Sequence, residues 1–168
     1  MRRLAALLKR RRIPHAFTGA MAMAEYGFRR PVLRIELLLT EDGLDRFRNE
    51  WNAEQYRAMP KRPRSVRDLK HRLTIDIVMA GESPTAGPAQ AVKFPDPTLA
   101  ASHDTKFSLL PLLRLLELKL AANTSDDLED VVWMIRCADL GKDLRLLAHR
   151  SVRKAHTAAW KRANAAEV

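Results

Sequence analysis

Hydrophobic and polar positions along this chain follow two rhythms. From Val32 to Leu39 the run VLRIELLL sets Arg34 and Glu36 on one side and Leu33, Ile35 and Leu37 on the other. That period of two belongs to a strand with one buried face. Arg72 to Ala80 (RLTIDIVMA) repeats it, with Asp76 inside. Elsewhere the period is helical. Leu4, Leu7 and Leu8 share a face of a helix over residues 2–11, with arginines around the rest. Leu44, Phe47 and Trp51 do the same over residues 42–51, where Thr40 is placed to cap the helix. Pro14 pushes the residue before it toward extended geometry, so HAFTG reads as the end of a short strand. Gly19 to Tyr26 is rich in Ala and Met and reads as a helix closed by Gly27 in a left-handed C-cap.

Beyond Phe107 the pattern is helical throughout: Leu109–Ala122, Asp126–Ala138, Leu144–His149 and Val152–Ala163. Ser125 is the expected N-cap of the second of these, and Asp126, Asp127 and Glu129 in its first turn suit the helix dipole. Two stretches break both rhythms. Ala58 to Arg67 (AMPKRPRSVR) holds two prolines and a cluster of cations and reads as a mobile basic loop. Gly81 to Pro97 holds two glycines and four prolines and reads as irregular. The expected architecture is α+β: a small mixed sheet with Val32–Leu39 and Arg72–Ala80, flanked by the N-terminal helices. A core over residues 1–106 is followed by a helical region over 107–168 packed on it as one compact domain.

Composition adds constraints. The 168 residues suit one domain, and a hydrophobic content of 46% is enough for a core. Cys137 is the sole cysteine, so no intrachain disulfide forms and a reducing compartment is the simplest setting. The apolar stretch LAALL is too short for a signal-peptide core and runs into Lys9–Arg12. No run approaches the roughly 20 apolar residues of a membrane span. The expectation is a cytoplasmic protein with no membrane segment. A formal net charge of +10 favours polyanionic partners: a nucleotide, a nucleic acid or an acidic protein. A general abundance of arginine accounts for the same number with no partner at all.

The segment Gly19 to Thr40, GAMAMAEYGFRRPVLRIELLLT, joins these features in a definite order. A Gly-Ala step opens a helix, Gly27 closes it, Arg30 and Pro31 turn the chain, and the alternating strand follows. It resembles the signature segment of nucleotidyltransferases of the DNA-polymerase-beta-like superfamily, and more closely the minimal bacterial branch that includes abortive-infection-type toxins. In that pattern two small residues, usually Gly-Gly, precede a helix, and Gly, Arg and Thr lead into a strand bearing Asp-x-Asp. Here Gly19 matches the first small residue and Ala20 stands at the second. Arg30 matches the arginine, and Val32 replaces the threonine. Arg34 replaces the first Asp, Glu36 the second, and Asp76 in LTIDIVMAGE matches a third acid on the neighbouring strand. LELKLA around Lys119 and DLEDV around Asp130 resemble the helical segment that follows the sheet, where the lysine tends to face the active site. FPDP at Phe94–Pro97 resembles the loop before it. The likeness runs from residue 3 to residue 160.

The resemblance implies a nucleotidyltransferase-like sheet and a defined set of site residues. Nucleotide contacts would come from Gly19, Ala20, Arg30, Arg34 and Lys119, and the acids from Glu36 and Asp76. Active members use two Mg²⁺ ions about 4 Å apart to steady the attacking oxygen and the leaving pyrophosphate. Hard cations need oxygen ligands, hence three carboxylates in the family pattern. Arg34, Glu36 and Asp76 together carry a charge of only −1, and a guanidinium among the ligands repels a dication. An ordinary ion-paired cluster on a strand face is the expectation, with Arg34 paired to Glu36 or Asp76 as a partly buried cation. Three functions remain open: a catalytically degenerate protein that binds a nucleotide or nucleic acid, an active Mg²⁺-dependent enzyme moving an NMP group to RNA or protein, and a toxin–antitoxin-like interaction partner. His15, His71, His103, His149 and His156 show no metal-ligand spacing. Asp68, Glu82, Asp96 and Asp104 are candidate displaced carboxylates whose simpler reading is solvated loop acids.

Overall fold

The alternating runs become neighbouring strands. The computed structural model describes residues 2–28, 31–51, 54–85, 91–100, 107–137 and 149–165. It is α+β and divides into two compact units, Met1–Glu82 with Phe94–Pro111 and Ser83–Lys93 with Leu112–Val168. The first unit holds α1 (Arg2–Arg10), β1 (Ala16–Thr18), α2 (Gly19–Glu25), β2 (Arg34–Leu39), α3 (Glu41–Arg48), β3 (Tyr56–Met59), β4 (Arg62–Asp68), β5 (Leu73–Met79) and the single turn α4 (Pro97–Ala100). Among the described residues five strands make one sheet in the order β1-β2-β5-β4-β3. β2 and β5 are parallel, and the other pairs are antiparallel.

One face of this sheet is apolar. Phe17, Ile35, Leu37, Leu39, Ile75, Ile77, Met79 and Val66 project there and join Leu4 and Leu8 of α1 and Leu44 and Phe47 of α3 in a continuous core. Phe47 meets Trp51 and Tyr56 edge to face, which suits the ring quadrupoles. Strand β2 starts two residues later than its pattern suggests. Pairing with β5 begins at Arg34↔Thr74, so Leu33 has no strand beside it and is 81% exposed.

Helix ends are set by local chemistry. Thr40 caps α3, its Oγ1 accepting from the Gly43 N–H at 3.1 Å. Gly27, at φ +92°, closes α2 as its position suggests: its N–H donates to the Ala24 carbonyl and that of Phe28 to Met23. α1 closes by the same double bond, Arg12 to Lys9 and Ile13 to Leu8, but its left-handed residue is Arg12 at φ +53°. Residues 107–110 lie along β1, with the Phe17 N–H donating to Ser108 and the Leu110 N–H to Phe17.

The basic stretch Ala58–Arg67 is a hairpin rather than a mobile loop. Pro60 supplies the fixed φ of a turn and Lys61 takes the positive φ after it, at +63°. Pro63, which lacks an N–H, falls outside the part of β4 that pairs with β5, Ser65–Asp68. Described residues between Gly81 and Phe94 carry no helix or strand.

The second unit holds α5 (Leu112–Ala122), α6 (Ser125–Cys137), a 3₁₀ turn (Arg150–Val152) and α7 (Arg153–Asn164). α5 begins at Leu112, because Leu109 and Leu110 are taken up beside β1 in the first unit. Thr124, not Ser125, caps α6: its Oγ1 accepts from the Asp127 N–H at 3.2 Å. Leu116, Leu120, Val131, Met134 and Val152 form the interior. Glu117 is 1% exposed yet satisfied, taking Arg114 Nη1 at 2.6 Å and the His149 N–H at 2.7 Å. The expected helix Leu144–His149 falls, but for His149, outside the described residues.

Candidate functional site

The other face of the sheet is apolar along Ala16, Leu38 and Val78 and turns polar along the next row. Register places Thr18 opposite Glu36, Glu36 opposite Asp76, and Asp76 opposite Ser65. Register partners on adjacent strands project to the same side, so these four residues form one row across β1, β2, β5 and β4. Glu36 and Asp76 thus share a face, as the resemblance requires.

Each end of the row is fixed. Gly19, at φ +61°, follows Thr18 directly, and a Cβ built on it would lie 2.5 Å from Glu36 Cδ and from Oε2. Only glycine both takes that backbone angle and lets the Glu36 carboxylate lie there. Ala20 follows in the first turn of α2 and is half-buried. At Asp76, Oδ1 accepts from Ser65 Oγ at 2.5 Å and from Arg62 Nη2 at 2.9 Å. Arg34 Nη1 lies 3.6 Å from Oδ2. Arg34 therefore does pair with Asp76, but as an exposed cation, 61% accessible, and not as a partly buried one.

A second row lies beside the first. Arg34 is opposite Thr74, Thr74 opposite Arg67, and Arg67 opposite Arg57. Arg67 Nη1 donates to Thr74 Oγ1 at 3.0 Å. Arg57 has no hydrogen bond or ion pair among the described residues. Like charges directly opposite on paired strands repel, so Arg57 and Arg67 work against the hairpin that carries them.

The donor set does not fit a pair of Mg²⁺ ions. Glu36 and Asp76 supply two carboxylates, and Arg34 and Arg62 bring the local charge to zero. Both Asp76 oxygens already face cations or a hydroxyl. Among the described residues no three His, Cys, Asp or Glu side chains converge on a metal position.

Arg30 is outside the described residues. Lys119 belongs to the second unit, where its Nζ donates to Asp127 Oδ1 at 2.9 Å and to Asp130 Oδ2 at 2.7 Å. It is a nearly buried ion-paired lysine, and Asp127 serves it as well as the start of α6. The sequence does not single out Ser65 and Arg62, which hold Asp76, because two prolines and a cluster of cations give their strand the pattern of a loop. The alternation of Ser65 and Arg67 about Val66 is the signal for Ser65, and no pattern in the sequence marks Arg62. The chain matches no protein-family model and no curated protein sequence.

Proposed function

We propose that this chain is a nucleotidyltransferase-like protein without nucleotidyl transfer, which binds a phosphate-bearing ligand, a nucleotide or a nucleic acid, on the polar face of its sheet. The observation that carries this reading is the row Thr18–Glu36–Asp76–Ser65. It pairs the two acids of the family pattern on parallel strands, with Gly19 against one and two arginines on the other. A guanidinium stands where the pattern has a metal ligand, which removes the dication and leaves a cationic surface. Arg67 and Arg57, on adjacent strands roughly 4.8 Å apart, and Arg34, two strands from Arg67, then supply planar forks suited to phosphate oxygens.

The test joins transfer and binding. Wild-type protein with Mg²⁺ and each labelled NTP is expected to leave no label on tRNA, other RNA or protein, while binding NTP or single-stranded RNA at low salt. Transfer by the wild type that Arg34→Asp abolishes would make Arg34 a working phosphate ligand and the chain an enzyme. Absence of both transfer and binding would remove the ligand from the proposal.

A further inference from the structure

A cleft of about 470 Å³ opens at the end of β1 remote from Thr18, between the last turn of α1 and residues 97–98 and 107–108. Small-molecule sites typically fall between about 300 and 1,000 Å³. Its floor includes Ile13 and Phe107, both buried members of the core. Phe107 also packs edge-on to Phe17. One wall is His15, whose ring is held by Nδ1 against the Ile13 carbonyl at 2.8 Å and lies edge-on to Phe17. Ser108 Oγ donates to the His15 carbonyl at 2.8 Å, so this wall is set before any ligand arrives.

Among the described residues the cleft is lined by charge of one sign, with Asp96 behind it bonded to Thr98. Lys9 and Arg12 line it, and none of its described lining residues is acidic. Cations at a helix C-terminus ordinarily serve the dipole and the last carbonyls. Here Arg46 does that work: its Nη2 donates to the carbonyls of Arg11 at 2.6 Å and Arg12 at 3.1 Å. Glu50 holds Arg11 at 2.9 Å. Neither Lys9 nor Arg12 has a side-chain hydrogen bond or ion pair among the described residues. Arg12 moreover occupies the left-handed closing position of α1, at φ +53°, where glycine is the favoured residue. A non-glycine residue kept in that conformation by its surroundings and turned to a cleft points to a use for its side chain.

We infer that this cleft is a binding site for a small organic anion with a flat apolar body, its charge on Lys9 and Arg12 and its body on Ile13 and Phe107. The site is separate from the polar sheet face and does not rest on the proposed function. The probes are naphthalene carboxylate and its neutral carboxamide, titrated by calorimetry against the full chain. The carboxylate is expected to bind at one site about tenfold or more tighter than the carboxamide, a difference of roughly 1.4 kcal/mol. Arg12→Gly keeps the left-handed turn and removes the cation, so folding is preserved or improved. Lys9→Gln changes an exposed helix position. Together they should bring the carboxylate to the affinity of the carboxamide and leave the carboxamide unchanged. Equal affinity of the two probes for the wild type, no saturable carboxylate binding, or full carboxylate affinity in the double variant each overturns the inference. So does loss of carboxylate binding in Arg57→Gln/Arg67→Gln, which would move the probe to the sheet face.

Discussion

Gly19 and Glu36 are the most tightly coupled residues of the candidate site. Gly19→Ala imposes a left-handed angle on a Cβ and drives that Cβ into the Glu36 carboxyl group. The first effect alone costs of order 1–3 kcal/mol. The second is relieved when the carboxyl end of the flexible Glu36 side chain swings aside. In a double-mutant cycle, Gly19→Ala should therefore cost less in a Glu36→Ala background than in the wild type, with a coupling of about 0.5–1 kcal/mol or more. Urea unfolding of the four proteins measures it, and strict additivity would mean that the carboxylate does not lie against Gly19. Arg34 gives a second residue-scale prediction. Arg34→Asp removes an exposed cation 3.6 Å from Asp76 and sets three acids on one face. Mn²⁺ affinity, read by electron paramagnetic resonance, should rise by about tenfold or more, since a positive charge is lost and a negative one gained near the site. Unchanged affinity would show that Arg62, not Arg34, controls the carboxylate.

At the scale of elements, the hairpin of β4 and β5 turns on Asp68. Its carboxylate accepts from the His71 N–H at 3.0 Å and meets His71 Nδ1 at 2.9 Å. Burial pushes this carboxyl up, but the bonds from the His71 backbone and ring outweigh it, and the net direction is below the ordinary carboxylate value. A depressed folded value means that the stabilisation is present above the unfolded pKa of about 3.9 and is lost as pH falls through the lower folded one. Asp68→Asn should cost about 1–2 kcal/mol at pH 7. That deficit should shrink when urea unfolding is repeated in acid, below the ordinary carboxylate range. A deficit independent of pH would show that the ionised form is not what stabilises the turn. This hairpin is also where the sequence was hardest to read. Strands β2 and β5 are legible because each has a core on one side, which imposes alternation from Arg34 to Leu37 and along β5. β3 is an edge strand with Arg57 and Ala58 both exposed, and β4 opens with Arg62, Pro63 and Arg64 in solvent, so no alternation appears until Ser65. Gly19, Glu36 and Asp76 come from the resemblance of their segments to the family pattern, whereas Arg62 becomes visible only with the hairpin. The Thr124 cap was missed for a smaller reason, since Ser125 is an equally good capping residue and only the turn geometry chooses between them.

For the whole molecule, a net charge of +10 predicts attraction to polyanions without saying where they sit. The cations are spread over both units: Arg34, Arg57 and Arg67 on the sheet face, Lys9 to Arg12 at the end of α1, and Arg153, Lys154, Lys161 and Arg162 on α7. Salt dependence separates these sources. For single-stranded RNA each phosphate neutralised contributes about −0.7 to the slope of log affinity against log salt. If the sheet face is the site, Arg57→Gln/Arg67→Gln should flatten that slope by roughly 1.4, while Lys161→Gln/Arg162→Gln leaves it nearly unchanged. Arg57→Gln alone should also be more stable than the wild type by about 0.2–1 kcal/mol, because it removes the repulsion between directly opposed arginines and keeps the Arg67–Thr74 bond. Tighter folding together with weaker, less salt-sensitive binding is the combination expected of residues kept for a ligand at some cost to the fold. A generally basic surface predicts something else, small and similar slope changes from either pair, and that result would take the arginine row out of the binding site.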